Sequence, residues 1–312
     1  MHLSDDLFIM KSFPDFHESY FDIDEYNRTF EKKNVIIHAS AKDVGYAEHW
    51  GPLSIKCTIK GTEHYQCGNR FYSVNEDHYL IFNDGQYYSS YIYSDTGTES
   101  FTINFSSSFQ QCVLENFGED FETTNKIKTY EFIEKCYKHN DLVTPLVMKL
   151  YRTTLIKNPD HYLITELYFL LLEKLLFQQE KLRNEIMKIE AVKYSTQVEL
   201  YKRLNYAKDF IESCYMNEIE LKTLAKVACM NKAYFLREFK KYFGVTPYQY
   251  IIRQRLKAAR QMLETIRCTI TEICFAVGYR DIVSFCKLFK KSFNVTPEQY
   301  QKSFIKKSFF TC

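Results

Sequence analysis

A twelve-residue block recurs fifty positions downstream, and this repeat constrains the chain more than any other feature. Phe239 to Tyr250 (FKKYFGVTPYQY) and Phe289 to Tyr300 (FKKSFNVTPEQY) agree at nine of twelve positions. An internal repeat means one supersecondary unit used twice. Ahead of each block lies a short helical pattern: Leu221, Leu224, Ala225 and Ala228 in the first copy, Ile270, Ile273, Cys274 and Val277 in the second. The offset there is forty-nine, so the second turn carries one extra residue. Each copy therefore predicts a short helix, a tight turn and a second helix.

The charge is distributed to match. The whole chain of 312 residues has a net charge of only +2, but residues 196 to 312 hold 21 Lys/Arg against 10 Asp/Glu, leaving 20 against 29 upstream. A basic C-terminal part behind an acidic N-terminal part points to a polyanion partner at one end. The length suits two domains. The ten cysteines include no CxxC pair, and Cys214, Cys274 and Cys286 fall in apolar stripes, so they read as reduced core thiols of an intracellular protein. The stretch MHLSDDLFIMKSF places acids where a signal peptide needs basic residues, and the longest apolar run, Leu167 to Leu172, is far short of the ~20 residues of a membrane span. A soluble, cytoplasmic protein with no membrane partner is expected.

Residues 1 to about 33 show no period and read as an irregular lead-in. From Val35 to Phe105 the period is two: Leu53, Ile55, Cys57 and Ile59 alternate with Ser54, Lys56, Thr58 and Lys60, and Phe101, Ile103 and Phe105 alternate likewise. Turn signals at Gly61, Cys67-Gly68-Asn69, Asn75-Glu76-Asp77 and Asn83-Asp84-Gly85 cut this segment into short strands, which predicts a small antiparallel barrel or sandwich. Helices are predicted over Phe109 to Asn116, Tyr130 to Lys138, Leu142 to Leu155 and about Tyr162 to Lys188. The last is apolar almost all round in its middle, so its surplus face suggests either the chain's own helices or a second subunit, with Leu172 and Leu176 as the dimerisation candidates. The resulting fold class is α+β with two domains: residues 1–190 a small antiparallel β-barrel with a helical appendage, 191–196 a linker, and 197–312 an all-α tandem helix-turn-helix domain.

Within that domain Asn231 and Asp281 are placed to cap the second helices. Phe235, Phe239 and Phe243, and then Phe285, Phe289 and Phe293, are spaced to face inward. Thr246-Pro247 with Gln249 and Thr296-Pro297 with Gln299 read as capping boxes that start a further helix. The first of these helices, Pro247 to about Glu264, would span ~27 Å, close to the ~34 Å between successive major-groove faces of a duplex.

Leu224-Ala225, Phe239-Lys240-Lys241, Gly244-Val245-Thr246-Pro247, Arg255-Leu256-Lys257-Ala258-Ala259, Ile273, Val277-Gly278-Tyr279, Asp281, Phe285 and Phe289-Lys290-Lys291 together carry a resemblance. Residues 207 to 304 resemble the DNA-binding domain of AraC/XylS-type transcription regulators, and the strands more loosely resemble those regulators' cupin-like effector and dimerisation domain. The resemblance places base readers at Ala233, Leu236 and Arg237 in the first unit and at Ile282, Val283 and Lys287 in the second. Asn231, Lys232, Lys240, Lys241, Arg280, Lys290 and Lys291 complete the candidate DNA-binding set. Cys229 stands where the first turn often has Gly, Ile282 where Pro is common, and Lys287 where Arg is frequent. Lysine lacks the two-pronged fork that matches guanine. Ala233, Leu236 and Val283 suit thymine methyl groups if exposed and the core if not.

The resemblance implies a sequence-specific regulator, an activator that contacts RNA polymerase, binding a double-stranded operator as a homodimer with a small-molecule effector as a further candidate partner. A cupin-type enzyme with a DNA-binding tail is the alternative. His49, His64 and His78 invite a metal reading, but there is no His-x-His pair with a downstream Glu, and no nucleophile with its base or phosphate loop in residues 1 to 190, so neither metal, cofactor nor catalytic residue is expected. Trp50, Tyr87, Tyr88 and Tyr91 serve equally as pocket lining or packing.

Overall fold

A computed structural model describes residues 7–13, 32–116, 130–140, 142–187, 193–265 and 268–309. The chain folds into two compact units, Met1–Asn205 and Tyr206–Cys312. The division falls inside a helix, Tyr194–Cys214, beyond the linker expected at 191–196. Residues 191 and 192 of that linker lie outside the described residues, and Tyr194 to Thr196 are already helical.

The first unit is built on strands β1 (Leu7–Met10), β2 (Asn34–Gly51), β3 (Leu53–Lys60), β4 (Thr62–Cys67), β5 (Arg70–Asn75), β6 (His78–Phe82), β7 (Gln86–Phe105) and β8 (Cys136–Lys138). One sheet runs in the order β1-β2-β7-β3-β6-β8, with β4 paired to both β5 and β7. The turns at Gly61, Gly68, Glu76 and Asp84 fall between consecutive strands as the turn signals predict. The lead-in is not wholly irregular: Leu7 to Met10 pairs in parallel with Asn34 to Ile37. This partner lies almost thirty residues away, so no local period announces it.

Helices α1 (Ser107–Asn116), α2 (Thr144–Thr154) and α3 (His161–Ile186) cover one face of the sheet. Ile36, Leu53, Ile55, Cys57, Ile81, Phe101, Ile103 and Phe105 pack there against Phe109, Val147, Leu150 and the α3 stripe. The helix expected over Tyr130 to Lys138 is absent. Instead Phe132 N–H donates to Asn83 Oδ1 at 2.8 Å, Ile133 N–H donates to Gln179 Oε1 at 3.1 Å, and Cys136 to Lys138 pair with β6. These donors are spent on Asn83, α3 and β6 and do not enter a helical ladder.

The structure places the two dimerisation candidates inside the first unit. α3 is capped by Asp160, which accepts from Tyr162 N–H and Leu163 N–H, and buries Ile164, Leu167, Tyr168, Leu171, Leu172, Leu175, Leu176, Gln179, Leu182 and Ile186. This is a single wide stripe at helical spacing. Leu172 is 2% exposed and Leu176 1% exposed within one chain, so neither offers a surface to a second copy.

The second unit consists of the C-terminal end of α4 (Tyr194–Cys214), α5 (Leu221–Val227), α6 (Lys232–Phe243), α7 (Pro247–Thr265), α8 (Ile270–Ala276), α9 (Ile282–Phe293) and α10 (Pro297–Phe309). No helix among the described residues is long and apolar enough to cross a membrane.

Candidate nucleic-acid interface

Each repeat is a pair of helices fixed by local hydrogen bonds that the sequence specifies. After α5 the chain turns through Cys229, in the left-handed region at φ 50, and Met230 N–H returns to Ala225 O at 2.9 Å. Asn231 Oδ1 then accepts from Tyr234 N–H at 2.9 Å and starts α6. In the second copy Gly278 takes the left-handed position at φ 88, Tyr279 N–H returns to Cys274 O at 3.0 Å, and Arg280 is the extra residue. Asp281 accepts from Val283 N–H at 3.1 Å and Ser284 N–H at 2.7 Å to start α9. These donors, with the Ser284 hydroxyl foremost, hold the Asp281 carboxyl below the usual carboxylate range.

Both second helices end on a left-handed residue, Gly244 in one and Asn294 in the other, followed by the Thr-Pro-x-Gln box. Thr246 Oγ1 accepts from Gln249 N–H at 3.2 Å while Gln249 Oε1 accepts from Thr246 N–H at 2.9 Å. Thr296 and Gln299 reproduce the pair at 3.2 and 3.0 Å.

The inward faces repeat as well. Phe235, Phe239, Phe285 and Phe289 are fully buried. Phe239 lies 4.5 Å from Phe243 and 5.9 Å from Tyr250, ring to ring; Phe289 lies 4.6 Å from Phe293 and 5.9 Å from Tyr300. With those faces committed to packing, the opposite faces of α6 and α9 are left to solvent. Asn231, Lys232, Ala233, Leu236, Arg237, Lys240 and Lys241 are all exposed, as are Arg280, Ile282, Val283, Lys287, Lys290 and Lys291. Thus Ala233, Leu236 and Val283 are surface residues, with Val283 at 55% exposure. Lys240, Lys241, Lys290 and Lys291 occupy the last turns of their helices, where a cation also complements the helix dipole. Arg280 pairs with Glu218, both side chains largely in solvent.

The fold contains a further repeat that a fixed offset along the sequence misses. Tyr250 OH donates to Glu212 Oε1 at 2.5 Å, and Lys208 Nζ donates to Glu212 Oε2 at 2.9 Å and to Asp209 Oδ1 at 3.1 Å. Burial alone would lower the Lys208 pKa; the Asp209 and Glu212 carboxylates outweigh it and hold it well above the usual lysine value. In the second half Tyr300 OH donates to Glu264 Oε1 at 2.5 Å, with Arg260 Nε 3.6 Å from the same oxygen. A cation, a glutamate four residues on and a tyrosine from the helix after the repeat thus recur. The cation and the glutamate recur at an offset of fifty-two while the tyrosines keep the fifty of the blocks, so one fixed alignment does not register all three.

α7 also ties the two copies together. Arg255 Nε donates to Tyr215 O at 2.7 Å, Arg255 Nη2 donates to Asn217 O at 2.8 Å, and its guanidinium stacks over Tyr279 at 5.5 Å. A cleft of about 450 Å³ lies beside it, walled by Met216, Ile219, Tyr248, Ile252, Phe275 and Gly278.

In the first unit, the histidines that invite a metal reading take separate partners. His49 Nδ1 lies 2.8 Å from Ala47 O, His64 Nδ1 2.7 Å from Ser73 Oγ, and His78 Nδ1 3.3 Å from Asn75 Oδ1. Among the described residues no three His, Cys, Asp or Glu side chains gather as a metal site. The polar face of β3 behaves unlike an ordinary alternating strand, because Ser54, Lys56 and Thr58 are buried as deeply as Leu53, Ile55 and Cys57. They point to the second core, of Tyr65, Tyr72, Leu80, Phe82 and Tyr88, and not to water. Beside them Glu63 accepts from Ser100 Oγ at 2.6 Å, Lys56 Nζ sits 5.0 Å over the Tyr88 ring, and burial pushes the Glu63 carboxyl up. Among the described residues, nothing hydrogen-bonds to buried Ser54 Oγ or Asn104 Oδ1.

Two capped helix-turn-helix units on a shared helix, each with an exposed basic second helix, define a tandem helix-turn-helix DNA-binding fold. Residues 224–303 match the helix-turn-helix domain family, and this C-terminal part is of the AraC/XylS type. An uncharacterised HTH-type transcriptional regulator of Haemophilus influenzae is 34% identical over 102 residues, 33% of this chain and 34% of that protein. The lactose operon transcription activator of Staphylococcus xylosus is 30% identical over 112 residues, 36% of this chain and 40% of that one. The chain thus spans little more than a third of the length of these curated relatives. Among solved structures, the DNA-binding domain of AdpA in complex with a target DNA is 25% identical, with 34% of this chain and 95% of that one covered at a TM-score of 0.33.

Proposed function

We propose that the chain is a sequence-specific transcription regulator that reads two successive major-groove segments of a double-stranded operator. The observation that carries this reading is the repeated exposure of one face on α6 and α9, basic at its end and apolar or cationic at its start, while the Phe faces are buried. α7, at 19 residues, separates the two readers by ~28 Å, which suits adjacent grooves on one side of a duplex. Base readers are Ala233, Leu236 and Arg237 in α6 and Ile282, Val283 and Lys287 in α9. Asn231, Lys232, Lys240, Lys241, Arg280, Lys290 and Lys291 contact phosphate, and regulation is activation through RNA polymerase, in keeping with the S. xylosus relative, which is named as a transcription activator.

The strand-rich unit supplies control and pairing of two copies, through a surface other than Leu172 and Leu176. Its polar interior, with Ser54 Oγ and Asn104 Oδ1 lacking partners among the described residues, supports an effector site, because buried polar groups without partners are costly unless something meets them. The test is selection of bound duplexes from a random pool by the full chain, followed by footprinting. Two protected segments about one helical turn apart are expected. Arg237→Ala should cost ~1 to 3 kcal/mol on the selected sequence and relax one position, whereas Lys290→Ala with Lys291→Ala should weaken all sequences alike and flatten the salt dependence. A footprint confined to one segment overturns the two-reader function.

A further inference from the structure

The two readers are not equally equipped, and the difference lies in what surrounds the central cation. In α6 Arg237 Nε donates to Glu238 Oε1 at 2.9 Å, and the guanidinium carbon lies 5.1 Å over the Tyr234 ring. Tyr234 is three residues back on the same helical face, so its ring underlies the arginine without distorting the backbone. The Nε edge and one face of the guanidinium are thereby occupied. The Arg237 side chain is still 69% exposed, and among the described residues nothing else takes a hydrogen bond from it, which leaves the Nη1–Nη2 edge unspent. That edge carries the parallel donors that match guanine O6 and N7.

Glu238 is the sole acid of α6, beside Lys232, Arg237, Lys240 and Lys241. A carboxylate on a phosphate-facing helix opposes binding by simple Coulomb repulsion. Here it is withdrawn to 14% exposure and spent on Arg237, which explains how an acid is tolerated on this helix. The corresponding positions of α9 carry Ser284, Lys287 and Leu288: no ring, no fork and no carboxylate. The α9 positions that match Tyr234 and Glu238 therefore give Lys287 neither a ring nor an acid, and the first turn of α9 offers Ile282 and Val283 to solvent instead.

We propose that Tyr234 and Glu238 are positioning residues that hold the Arg237 guanidinium by its face and its Nε edge, so that the first unit alone supplies guanine specificity. This rests on the DNA-reading function proposed above. An arginine free to rotate gives up much of its preference, because each wrong rotamer binds phosphate or water as well as guanine.

The experiment uses the full chain in four forms beside the wild type: Arg237→Ala, Glu238→Gln, Tyr234→Leu and Tyr234→Phe. Each form is put through selection from a random duplex pool, and its affinity for the selected sequence and for single-base variants of it is then measured. The wild type should favour guanine over other bases by about 10- to 100-fold at one position, in one of the two segments. Arg237→Ala should erase that preference. Glu238→Gln and Tyr234→Leu should cut it about 5- to 10-fold at the same position, with affinity for random DNA and the salt slope held or slightly raised as a negative charge is lost. Tyr234→Phe keeps the ring and should keep the preference.

Unchanged guanine preference in Glu238→Gln, with Arg237→Ala still erasing it, overturns the positioning role and leaves the DNA-reading function intact. A uniform loss on every sequence overturns it equally, since that marks a merely structural defect. If the wild type selects no sequence, the underlying function fails first. Should Tyr234→Leu unfold the domain, Glu238→Gln decides alone, because an amide of the same shape leaves the packing unchanged.

Discussion

Gly278→Ala tests how closely the second helix-turn-helix is pressed against the rest of its unit. A Cβ at Gly278 would lie 2.2 Å from Met216 O, 2.8 Å from its carbonyl carbon and 3.0 Å from its Cα, at φ +88. These are backbone atoms, so no side chain can swing away, and the turn or the α4 end must move. Gly244 supplies the control, for it has φ +72 and nothing within 4 Å. There a Cβ meets only the left-handed penalty of about 1–2 kcal/mol. At Gly278 that penalty adds to about 1–3 kcal/mol for forcing packed atoms apart, a total of about 2–5 kcal/mol. For a domain of this size each kcal/mol moves the melting midpoint by ~4–8 °C. Gly278→Ala should therefore lower the midpoint by roughly 8–40 °C, and Gly244→Ala by roughly 4–16 °C. The assay is thermal unfolding of the full chain followed by far-UV ellipticity. Emission from Trp50, the chain's single tryptophan and part of β2, reports the strand-rich unit separately and should shift less. Equal midpoints for the two variants would refute the reasoning, since they would show that the approach to Met216 relaxes without cost.

Cys229 occupies the matching left-handed position of the first turn at φ 50; Cys229→Gly should stabilise by ~0.5–1 kcal/mol, the relieved backbone strain less the added freedom of the unfolded chain, and a lowered urea midpoint would count against it. Leu176→Ala should destabilise the first unit by ~2–5 kcal/mol by opening a cavity and leave the oligomeric state unchanged; sedimentation showing dissociation of a folded protein would return this residue to an interface. Tyr151 OH and His38 Nε2 both reach Glu99 Oε1 at 2.7 Å, and the Tyr151 hydrogen bond foremost holds the Glu99 carboxyl below the usual range. A depressed carboxyl pKa contributes stability above the unfolded value of ~4.3 and loses it as pH falls through the folded one. Tyr151→Phe should thus cost stability at pH 7 and cost less near pH 3, as read from denaturant midpoints; a cost independent of pH would place the effect in packing.

What was legible in the sequence was local. The caps at Asn231 and Asp281, the Thr-Pro-x-Gln boxes and the inward Phe faces are set by residues within one or two turns of each other, and the structure has them where the pattern predicts. What was not legible depends on partners far along the chain. Leu7 to Met10 becomes a strand only because Asn34 to Ile37 offers an edge, and residues 130 to 135 are held extended by Asn83 and Gln179. The α3 stripe misled for a related reason: a run of leucines states how much surface must be covered, and not whether the cover comes from the same chain. Alternation along β3 likewise identifies two faces, but the polar one is closed over by β4 and β5. The candidate readers rest on resemblance and their exposure follows from the burial of the Phe faces, while the Tyr234 and Glu238 contacts with Arg237 depend on side-chain geometry that no sequence pattern states.

The recurrence of Lys208, Glu212 and Tyr250 as Arg260, Glu264 and Tyr300 shows that the repeated body is larger than the helix-turn-helix. Each copy includes the helix before it and the helix after it, and α7 is therefore the last helix of one copy and the first of the next. Its Tyr250 end closes the first unit onto α4, while its Glu264 end receives α10 of the second. Between them Arg255 reaches back to Tyr215 and Asn217 and across to Tyr279. A helix locked at both ends and in the middle acts as a rod, so the separation and the relative rotation of α6 and α9 are properties of the fold. One base pair of displacement along a duplex turns a site by about 35° around its axis. A rod held at three points does not follow such a turn without breaking at least one of these contacts. If α6 and α9 both read DNA as proposed, the spacing between the two segments is as much a part of what this domain recognises as the bases within them.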